Sequence, residues 1–290
     1  MEGAEIVQYA DDSQVMVSGR VGEIRALVKL MERNLLLLAQ WFAKNGMKVN
    51  AQKTQMIIFG SRQNLSRLPP ISVHFMGATV AVSPTVSNLG VTFDQRMSFS
   101  AHVDDIVRKC TGMLCGLMHA KHYLPKSVLI TLVQALVVSR LRYCIAVYGC
   151  CNSTELKRVQ KLLNFAARVI SGRRKFDHIS DVLGQLNWLS ADNLYMYHGL
   201  TLLKRVLATS EPEVLSRGLT TRGEVHQRVT RNADLLVTPT IHSEAGRRRF
   251  RYCMVAAFND LPSAIREANT TTFKNEVRKH LQSKQRGNVG

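Results

Sequence analysis

Acidic side chains are scarce in this sequence. The 290 residues include 39 Lys and Arg but only 21 Asp and Glu, which leaves a formal net charge of +18 at pH 7. Half of this excess lies in residues 121–180, where only Glu155 and Asp177 oppose eleven basic side chains. Such a surface favours a polyanionic partner, first of all nucleic acid, because basic side chains neutralise phosphates and release counterions. The alternative is a solvated basic surface that only maintains solubility.

Paired cysteines are missing. None of the six cysteines is spaced from another as CxxC, which excludes the familiar zinc modules. We therefore expect reduced thiols that lie in the core. The six are Cys110, Cys115, Cys144, Cys150, Cys151 and Cys253.

Long apolar runs and a secretion signal are also missing. The longest apolar runs, such as Leu132–Ser139, are too short to span a bilayer. The residues after Met1 do not combine a basic start with an apolar run and a small-residue cleavage site. The sequence thus predicts a soluble, intracellular protein without a membrane partner, and it does not distinguish nucleus from cytoplasm.

The first hundred residues combine strand and helix patterns. Apolar segments on either side of Asp11 and Asp12 predict two short strands joined by a tight acidic turn. Over Val21–Asn45, apolar residues recur at steps of three or four, which predicts an amphipathic helix that stops at Gly46. Further strands are predicted at Met47–Asn50, Met56–Phe59, Ile71–Phe75, Thr79–Val82 and Leu89–Phe93.

Helical periodicity dominates the rest of the chain. Pro125 and the Gly172–Arg174 segment interrupt it, and residues 211–245 are polar without a clear period. Strands followed by helices predict an α+β fold. The predicted helices are Val103–His119, Val128–Leu141, Leu156–Ile170, Leu194–Leu207 and Phe273–Leu281.

Asp11 and Asp12 are candidate metal ligands. Two adjacent carboxylates supply hard oxygen donors that suit Mg²⁺, and pairs of such ions drive in-line phosphoryl transfer. Taken alone, two aspartates are also ordinary turn residues. The surrounding motifs decide between these interpretations.

The order of these motifs resembles the reverse transcriptases of non-LTR retrotransposons. Tyr9–Asp12 matches the (Tyr/Phe)-x-Asp-Asp signature of their palm domains, and Asn45–Asn50 followed by Lys53 resembles the stretch after the aspartates. Asn88–Asp94 resembles their primer-contacting hairpin, and His102 follows near the start of a helix. The resemblance is strongest over residues 4 to 105, moderate to about residue 210 and weaker beyond.

A further motif departs slightly from the family. Residues 258–262 have the sequence Phe-Asn-Asp-Leu-Pro, where relatives often have Trp-Asn-x-Leu-Pro. We interpret Phe258 as a packing substitution, since Leu261 and Pro262 stay in place.

The resemblance implies roles for individual residues. It implies a right-handed polymerase palm in which Asp11 and Asp12 bind Mg²⁺ and are catalytic, Asp11 being the more important. Lys53 would lie near the incoming triphosphate and neutralise charge or protonate the departing pyrophosphate, although it could simply be exposed at a hairpin turn. Leu89 and Gly90 would contact the primer, with Gly90 allowing close backbone approach unless it only forms a bulge.

We expect three regions: residues 1–95 as part of a palm, residues 96–210 as a helical thumb-like region, and residues 211–290 as a basic C-terminal helical region. In the family the fingers and a strand with another catalytic aspartate precede the acidic hairpin, whereas only ten residues precede Asp11 here. The expectation is therefore a fragment of an RNA-directed DNA polymerase from a transposable element. We expect it to bind Mg²⁺ weakly and to have little nucleotidyltransferase activity alone.

The basic helices are the expected nucleic-acid contact, for an RNA template, a DNA primer or their hybrid. Phosphate contacts of this kind are independent of sequence, and the alternative is a solvated face without a partner. The candidates are Arg140, Arg142, Lys157, Arg158, Lys161, Arg168, Arg173, Arg174 and Lys175.

Weaker signals remain. Arg247–Arg251 is interpreted equally well as a nucleic-acid or nuclear-import patch and as a chance run. His119 and His122 lie one helical turn apart, but without a third ligand we interpret them as ordinary histidines. Trp41 and Trp188 are expected in the core.

Two alternatives to a polymerase fragment stay open. The first is a non-catalytic basic protein whose helices bind nucleic acid. The second is an unrelated helical adaptor, which would require the acidic hairpin match to be accidental and the hairpin not to form.

Overall fold

Strands and helices separate along the chain in the computed structural model, which describes residues 3–226, 233–241 and 244–287. The chain divides into two units, Met1–Ala101 and His102–Gly290. Every strand among the described residues belongs to the first unit, and the second unit is helical. The mixed α and β structure that the sequence predicts is therefore present.

The first unit contains three antiparallel hairpins, each a two-stranded sheet within the described residues. The predicted acidic hairpin is confirmed. The strand predicted at residues 71–75 begins one residue later, and the strand predicted at residues 79–82 is shifted by one residue at both ends. The strands are β1 Glu5–Tyr9, β2 Asp12–Met16, β3 Ser72–Phe75, β4 Ala78–Ala81, β5 Thr85–Asn88 and β6 Val91–Asp94.

Helix α1, Ile24–Lys44, is the long amphipathic helix that the sequence predicts. It follows a short 3₁₀ turn and ends where Gly46 adopts a φ of +72°, a conformation that favours glycine after a helix. Its side chains Ala39 and Leu35 join Phe75 and Val80 in a small apolar core. A second short helix, α2, spans Arg62–Leu65.

Two strand predictions are wrong. Residues 47–50 have no strand conformation, and residues 56–59 contribute only a single bridge, from Met56 to Val82. The chain between them forms a 3₁₀ turn, Ala51–Lys53. A strand needs a neighbour that supplies hydrogen bonds along its length, and the described residues offer such a neighbour only at Met56.

The third correction concerns the hairpin near residue 90. The predicted strand Leu89–Phe93 begins only at Val91, and its partner β5 was not predicted. Leu89 and Gly90 form the turn instead, because Asn88 pairs directly with Val91.

The second unit is built from helices α3 to α15. The five predicted helices are all confirmed, and the predicted helix over 128–141 contains a π-helical segment, Gln134–Val138, between two α-helices. The helices are α3 Ser100–Ala120, α4 Lys126–Val133, α5 Ser139–Arg142, α6 Ile145–Tyr148, α7 Ser153–Ser171, α8 Ser180–Gln185, α9 Ala191–Thr209, α10 Glu213–Ser216, α11 Arg222–His226, α12 Glu244–Arg247, α13 Phe250–Asn259, α14 Ser263–Glu267 and α15 Thr270–Gly287.

Helix α9 is central to this unit, since α6, α7, α13 and α15 all pack against it. Its N-terminus is capped by Ser190, whose side chain accepts from the backbone N–H of Asn193 and whose own backbone N–H donates to Gln285 Oε1 at 2.8 Å. Asn193 on α9 donates to Leu281 O at 3.1 Å, which ties α15 to the start of α9. Helices α7 and α15 therefore both pack against one central helix.

The two tryptophans differ. Trp188 is buried, as expected, at 3% exposure, but the prediction that Trp41 is a core residue is wrong, because it is 49% exposed. Trp41 lies next to the buried Phe42 on α1, so a helical step of about 100° turns it away from the core. Leu37, which lies four residues earlier on the same side of the helix, is also exposed.

All six cysteines are free thiols, as expected. Cys110 and Cys151 are buried, but the other four are only half-buried, so the expectation that all six lie in the core is confirmed for two of them. Burial raises the pKa of the Cys151 thiol to about 12, so it stays protonated and unreactive at neutral pH. Among the described helices, none combines the length and the apolar character that a membrane span requires.

Candidate acidic hairpin and nucleic-acid interface

The two aspartates lie at the tip of the first hairpin. Tyr9 pairs with Asp12, which leaves Ala10 and Asp11 as a two-residue turn with a φ of +52° at Ala10. A positive φ at the first turn position alone is typical of a type II′ turn, which suits the twist of a hairpin. Asp11 and Asp12 are both exposed. The fold therefore presents two adjacent carboxylates to solvent.

These carboxylates fit Mg²⁺ in donor type, since the ion prefers hard oxygen ligands. Their number falls short of a full site: in residues 3–226, 233–241 and 244–287, no group of three or more His, Cys, Asp or Glu side chains could hold a metal ion. The described part of the chain thus supplies two ligands toward such an ion. His119 and His122 are exposed and belong to no such group either.

Lys53 ends the 3₁₀ turn that replaces the predicted hairpin turn. The side chain of Asn50 caps this turn by accepting from the backbone N–H groups of Gln52 and Lys53, at 3.1 and 3.3 Å. The ammonium group is exposed, and no ion pair joins it to Asp11 or Asp12 within the described residues. The structure does not bring Lys53 and the aspartates into contact.

Leu89 and Gly90 form the tip of the β5–β6 hairpin. Their φ values of +45° and +76° are both positive, the pattern of a type I′ turn. The Leu89 side chain is 41% exposed despite its apolar character. The two predicted primer contacts therefore stand together at a hairpin tip, open to a ligand.

Asp94, at the end of β6, fixes the backbone that follows this hairpin. Its carboxylate accepts from the N–H groups of Arg96, Ser98 and Phe99, at 3.0, 3.1 and 2.6 Å, and from Ser98 Oγ at 3.0 Å. Burial alone raises the pKa of Asp94, but these hydrogen bonds outweigh it and hold the pKa below its ordinary value. Sequence reasoning matched Asp94 to a motif but did not assign it this role.

On α7 the predicted basic face divides into free and paired cations. Lys157 and Lys161 are exposed and form no ion pair in the part of the chain that the structure describes. Arg158 instead pairs with Asp104 at 2.5 Å and with Glu155 at 2.8 Å. These two carboxylates already neutralise Arg158, so the two lysines are the better phosphate contacts.

Two of the arginines brace the loop after α7. Arg168 donates from Nε to Arg174 O at 3.1 Å, and from its guanidinium to Asp177 O at 3.2 Å. Arg173 binds the carboxylate of Asp181 through two nitrogens. Arg168 and Arg173 therefore hold the loop in shape, and contacts with the loop and with α8 already engage several of their donors.

The braced loop displays a residue that sequence reasoning missed. Phe176 is 88% exposed, and the Lys175 ammonium lies 5.5 Å from its ring centroid. Arg174 is also exposed, and neither Arg174 nor Lys175 forms an ion pair among the described residues. An aromatic residue beside a run of cations is a known pattern for base stacking and could have been found in the sequence Arg-Arg-Lys-Phe.

The remaining basic candidates lie in different surroundings. Arg140 on α5 is exposed, whereas Arg142 is half-buried, and burial followed by the charge of Arg278 lowers its pKa. In the Arg247–Arg251 run, only Arg248 is half-buried among the four arginines.

Comparisons with known proteins point to one group. The RNA-directed DNA polymerase from mobile element jockey of Drosophila melanogaster is 23% identical over 184 residues, or 62% of this chain and 19% of that protein. A probable RNA-directed DNA polymerase from transposon X-element of the same species is 26% identical over 142 residues, which are 46% of this chain and 15% of that protein. The retrovirus-related Pol polyprotein from type-1 retrotransposable element R1 of Bradysia coprophila is 25% identical over 194 residues, which are 64% of this chain and 19% of that protein.

No protein-family model matches the chain, and no solved structure is detectably similar to it. The matched segment spans less than a fifth of the length of each curated relative. Over roughly half to two thirds of its own length, the chain is similar to the RNA-directed DNA polymerases of non-LTR retrotransposons.

Proposed function

We propose that this chain is part of an RNA-directed DNA polymerase of a non-LTR retrotransposon. The observation that carries the proposal is the pair of exposed carboxylates, Asp11 and Asp12, at the tip of a formed two-residue hairpin turn. Similarity to retrotransposon polymerases supports it. In this proposal residues 1–95 belong to the palm, residues 96–210 act as a thumb, and residues 211–290 form a basic C-terminal region.

Asp11 and Asp12 would hold Mg²⁺, which when bound neutralises charge on the phosphoryl group that is transferred. Lys53 would contribute a cation near the triphosphate, and Leu89 with Gly90 would contact the primer strand. Mg²⁺ keeps several waters and is usually bound by few carboxylates together with substrate phosphates. We therefore expect the two described carboxylates to bind the ion weakly without further ligands.

The second unit would bind the template–primer duplex through its free cations. Arg140, Lys157, Lys161, Arg174 and Lys175 are exposed and unpaired among the described residues, so phosphates would not compete with carboxylates for them. Phe176 would add stacking on an unpaired base. Contacts of this kind position a strand without reading its sequence.

Binding is the first test. We expect the chain to bind a labelled RNA–DNA hybrid with an affinity that falls steeply as salt rises. Replacing both Lys157 and Lys161 by Gln should lower the slope of log K against log salt by about 2, since each lost phosphate contact contributes about 0.9. The matched control replaces Lys126 and Lys274, two exposed lysines outside the proposed surface. Absence of salt-dependent binding by the wild-type chain would contradict the proposal.

Catalysis is the second test. Primer extension with Mg²⁺ should be weak or absent for this chain alone. If the reading frame continues upstream of the Met1 codon, the extended protein should extend a primer on an RNA template. Asp11→Asn should abolish that activity, while Glu5→Gln, which neutralises an exposed carboxylate in the same hairpin, should not.

The alternative is a nucleic-acid-binding protein without catalysis, which the exposed cations of α7 would also support. Strong hybrid binding combined with no extension by any protein made from the extended frame would favour it. Equal loss of activity in Asp11→Asn and Glu5→Gln would contradict a catalytic role for the acidic turn.

A further inference from the structure

Three half-buried cationic side chains of the second unit form a cluster in the sense that their charges act on one another. It consists of Arg142 at the end of α5, His198 on α9 and Arg278 on α15, and we refer to it as the Arg142 cluster. All three side chains are partly covered rather than exposed. Most cations of this protein are at the surface, so three such groups together in the second unit require an explanation.

The geometry of Arg278 is fixed by its neighbours. Its guanidinium donates to Asn187 O at 2.7 Å and lies 5.7 Å from the centroid of the Tyr197 ring. The Tyr197 ring in turn meets His198 edge to face, with centroids 5.2 Å apart. Arg278 and His198 are thus oriented by uncharged groups, a carbonyl and an aromatic ring.

Arg142 has a buried donor without an acceptor. Its Nε atom is inaccessible to solvent and has no hydrogen-bond partner among the described residues. Burying such a group is unfavourable unless a partner satisfies it. The described part of the chain also provides no ion pair for Arg142 or Arg278.

The positive charges act on one another. Burial lowers the pKa of His198, and the charges of Arg142 and then Arg278 lower it further. Burial also lowers the pKa of Arg142, with Arg278 as the next cause and Tyr197 opposing it. No carboxylate contributes to either shift. Like charges repel each other more strongly where water is partly excluded, and a bound anion would relieve this repulsion.

We propose that the Arg142 cluster binds a phosphate group, with Arg142 and Arg278 as charged donors and His198 as a third donor. Guanidinium groups suit this ligand because their planar array of N–H donors matches phosphate oxygens. That the phosphate belongs to a nucleic-acid strand rests on the proposed function. The recognition of the phosphate group itself does not.

The anion site makes an unusual prediction about stability. If a guanidinium only supports the fold, its replacement lowers the stability of the protein. Removing the charge of Arg142 should instead relieve repulsion in the ligand-free protein, so Arg142→Gln should unfold at a higher temperature than the wild type in a buffer without phosphate or sulfate. The same variant should gain less from an added anion.

The experiment is a thermal unfolding series with inorganic phosphate at constant ionic strength. Added phosphate should raise the melting temperature of the wild type in a saturable manner. Arg142→Gln and Arg278→Gln should each weaken the apparent phosphate affinity by about tenfold or more, the effect expected for losing a charge-assisted contact. The control Lys279→Gln removes one charge from the adjacent, exposed position of α15 and should respond to phosphate like the wild type. An equal response in all four proteins would overturn the proposal.

A second arm uses a short single-stranded oligonucleotide and an RNA–DNA hybrid. Weaker binding of both phosphate and nucleic acid by Arg142→Gln would support a strand phosphate as the ligand. If Arg142→Gln loses the phosphate response but still binds the oligonucleotide and the hybrid as the wild type does, the phosphate bound at this site does not belong to a nucleic-acid strand. Nucleic-acid binding by a wild-type chain that shows no phosphate response would overturn the site while the proposed function stands. A phosphate response without any nucleic-acid binding would support the site while contradicting the proposed function.

Discussion

The side-chain amide of Asn259 pairs with both backbone polar groups of Leu236. Its Oδ1 accepts from Leu236 N at 3.0 Å, and its Nδ2 donates to Leu236 O at 2.9 Å. Thr221 forms an isolated antiparallel bridge with Leu236, and Asn259 satisfies both backbone polar groups of Leu236 as a neighbouring strand would. Arg266 secures this corner by donating to Asn259 O at 3.0 Å and to the Asp234 carboxylate at 2.8 Å.

The first prediction follows from this pairing. Asn259→Ala leaves both polar groups of a residue that is 2% exposed without partners. We expect the free energy of unfolding to fall by about 2–3 kcal/mol, the cost of unsatisfied buried groups. Urea unfolding measures the change, and Asn275→Ala, at an exposed position of α15, is the control with an expected change under about 0.5 kcal/mol. Equal stability of the two variants would show that the amide is dispensable.

The contact between Asn259 and Leu236 differs from the features that neighbouring residues in the sequence determine. The five predicted helices of the second unit were confirmed because apolar residues at steps of three or four define a buried face without reference to the rest of the chain. The acidic hairpin was predicted because its turn residues and flanking apolar residues are adjacent in sequence. By contrast, the motif Phe-Asn-Asp-Leu-Pro gave no indication that Asn259 contacts a residue 23 positions away.

The errors have the same origin. Residues 47–50 and 56–59 have strand-like composition, but strand formation depends on a partner elsewhere in the chain. Trp41 was expected in the core because nothing near it suggests base stacking, although its helical position turns it outward. At the candidate interface, Glu155 lies three residues before Arg158 on α7, a spacing that the sequence shows, but the second partner of Arg158, Asp104, lies on α3. Lys157 and Lys161 form no ion pair among the described residues. The pair between Arg158 and Asp104 arises only because separate helices meet.

Gly199 provides the second prediction. A Cβ atom at this position of α9 would lie 2.1 Å from Met254 Sδ, and Met254 is fully buried in α13. Gly199→Ala should therefore lower the free energy of unfolding by about 1–3 kcal/mol through overpacking. Gly116→Ala on α3 is the control, because nothing lies within 4 Å of its Cβ, and it should stabilise the protein by up to about 1 kcal/mol. If Gly199→Ala stabilised the protein as Gly116→Ala does, the Met254 side chain would be able to move aside without cost.

Asp94 provides a prediction about pH. Hydrogen bonds to its carboxylate depress the folded-state pKa despite burial, so its stabilising contribution is complete above the unfolded pKa of about 3.9 and disappears as the pH falls through the folded pKa. Asp94→Asn should lower the free energy of unfolding by about 1 kcal/mol near pH 7, a figure discounted for partial exposure. The difference from the wild type should shrink as the pH falls below the unfolded pKa and through the lower folded pKa.

Chemical unfolding at a series of pH values tests this prediction. Glu5→Gln serves as the control, because Glu5 is exposed on β1 of the same unit and should show little pH-dependent difference. A constant difference between Asp94→Asn and the wild type from pH 7 to pH 3 would rule out the ionised carboxylate as the source.

The last prediction separates stability from ligand contact at Leu89. Leucine is unfavourable at a φ of +45°, and Asn-Gly is the preferred sequence for a type I′ turn, so Leu89→Asn should raise the free energy of unfolding by about 0.5–1 kcal/mol. The β3–β4 hairpin has the same turn, with Met76 at +47° and Gly77 at +79°, and Met76→Asn is therefore a matched control for stability. If Leu89 contacts the primer, Leu89→Asn should weaken binding to a primer–template hybrid although the fold is more stable, whereas Met76→Asn should leave binding unchanged. Fluorescence titration measures both, and equal binding by the two variants would show that Leu89 does not contact the primer.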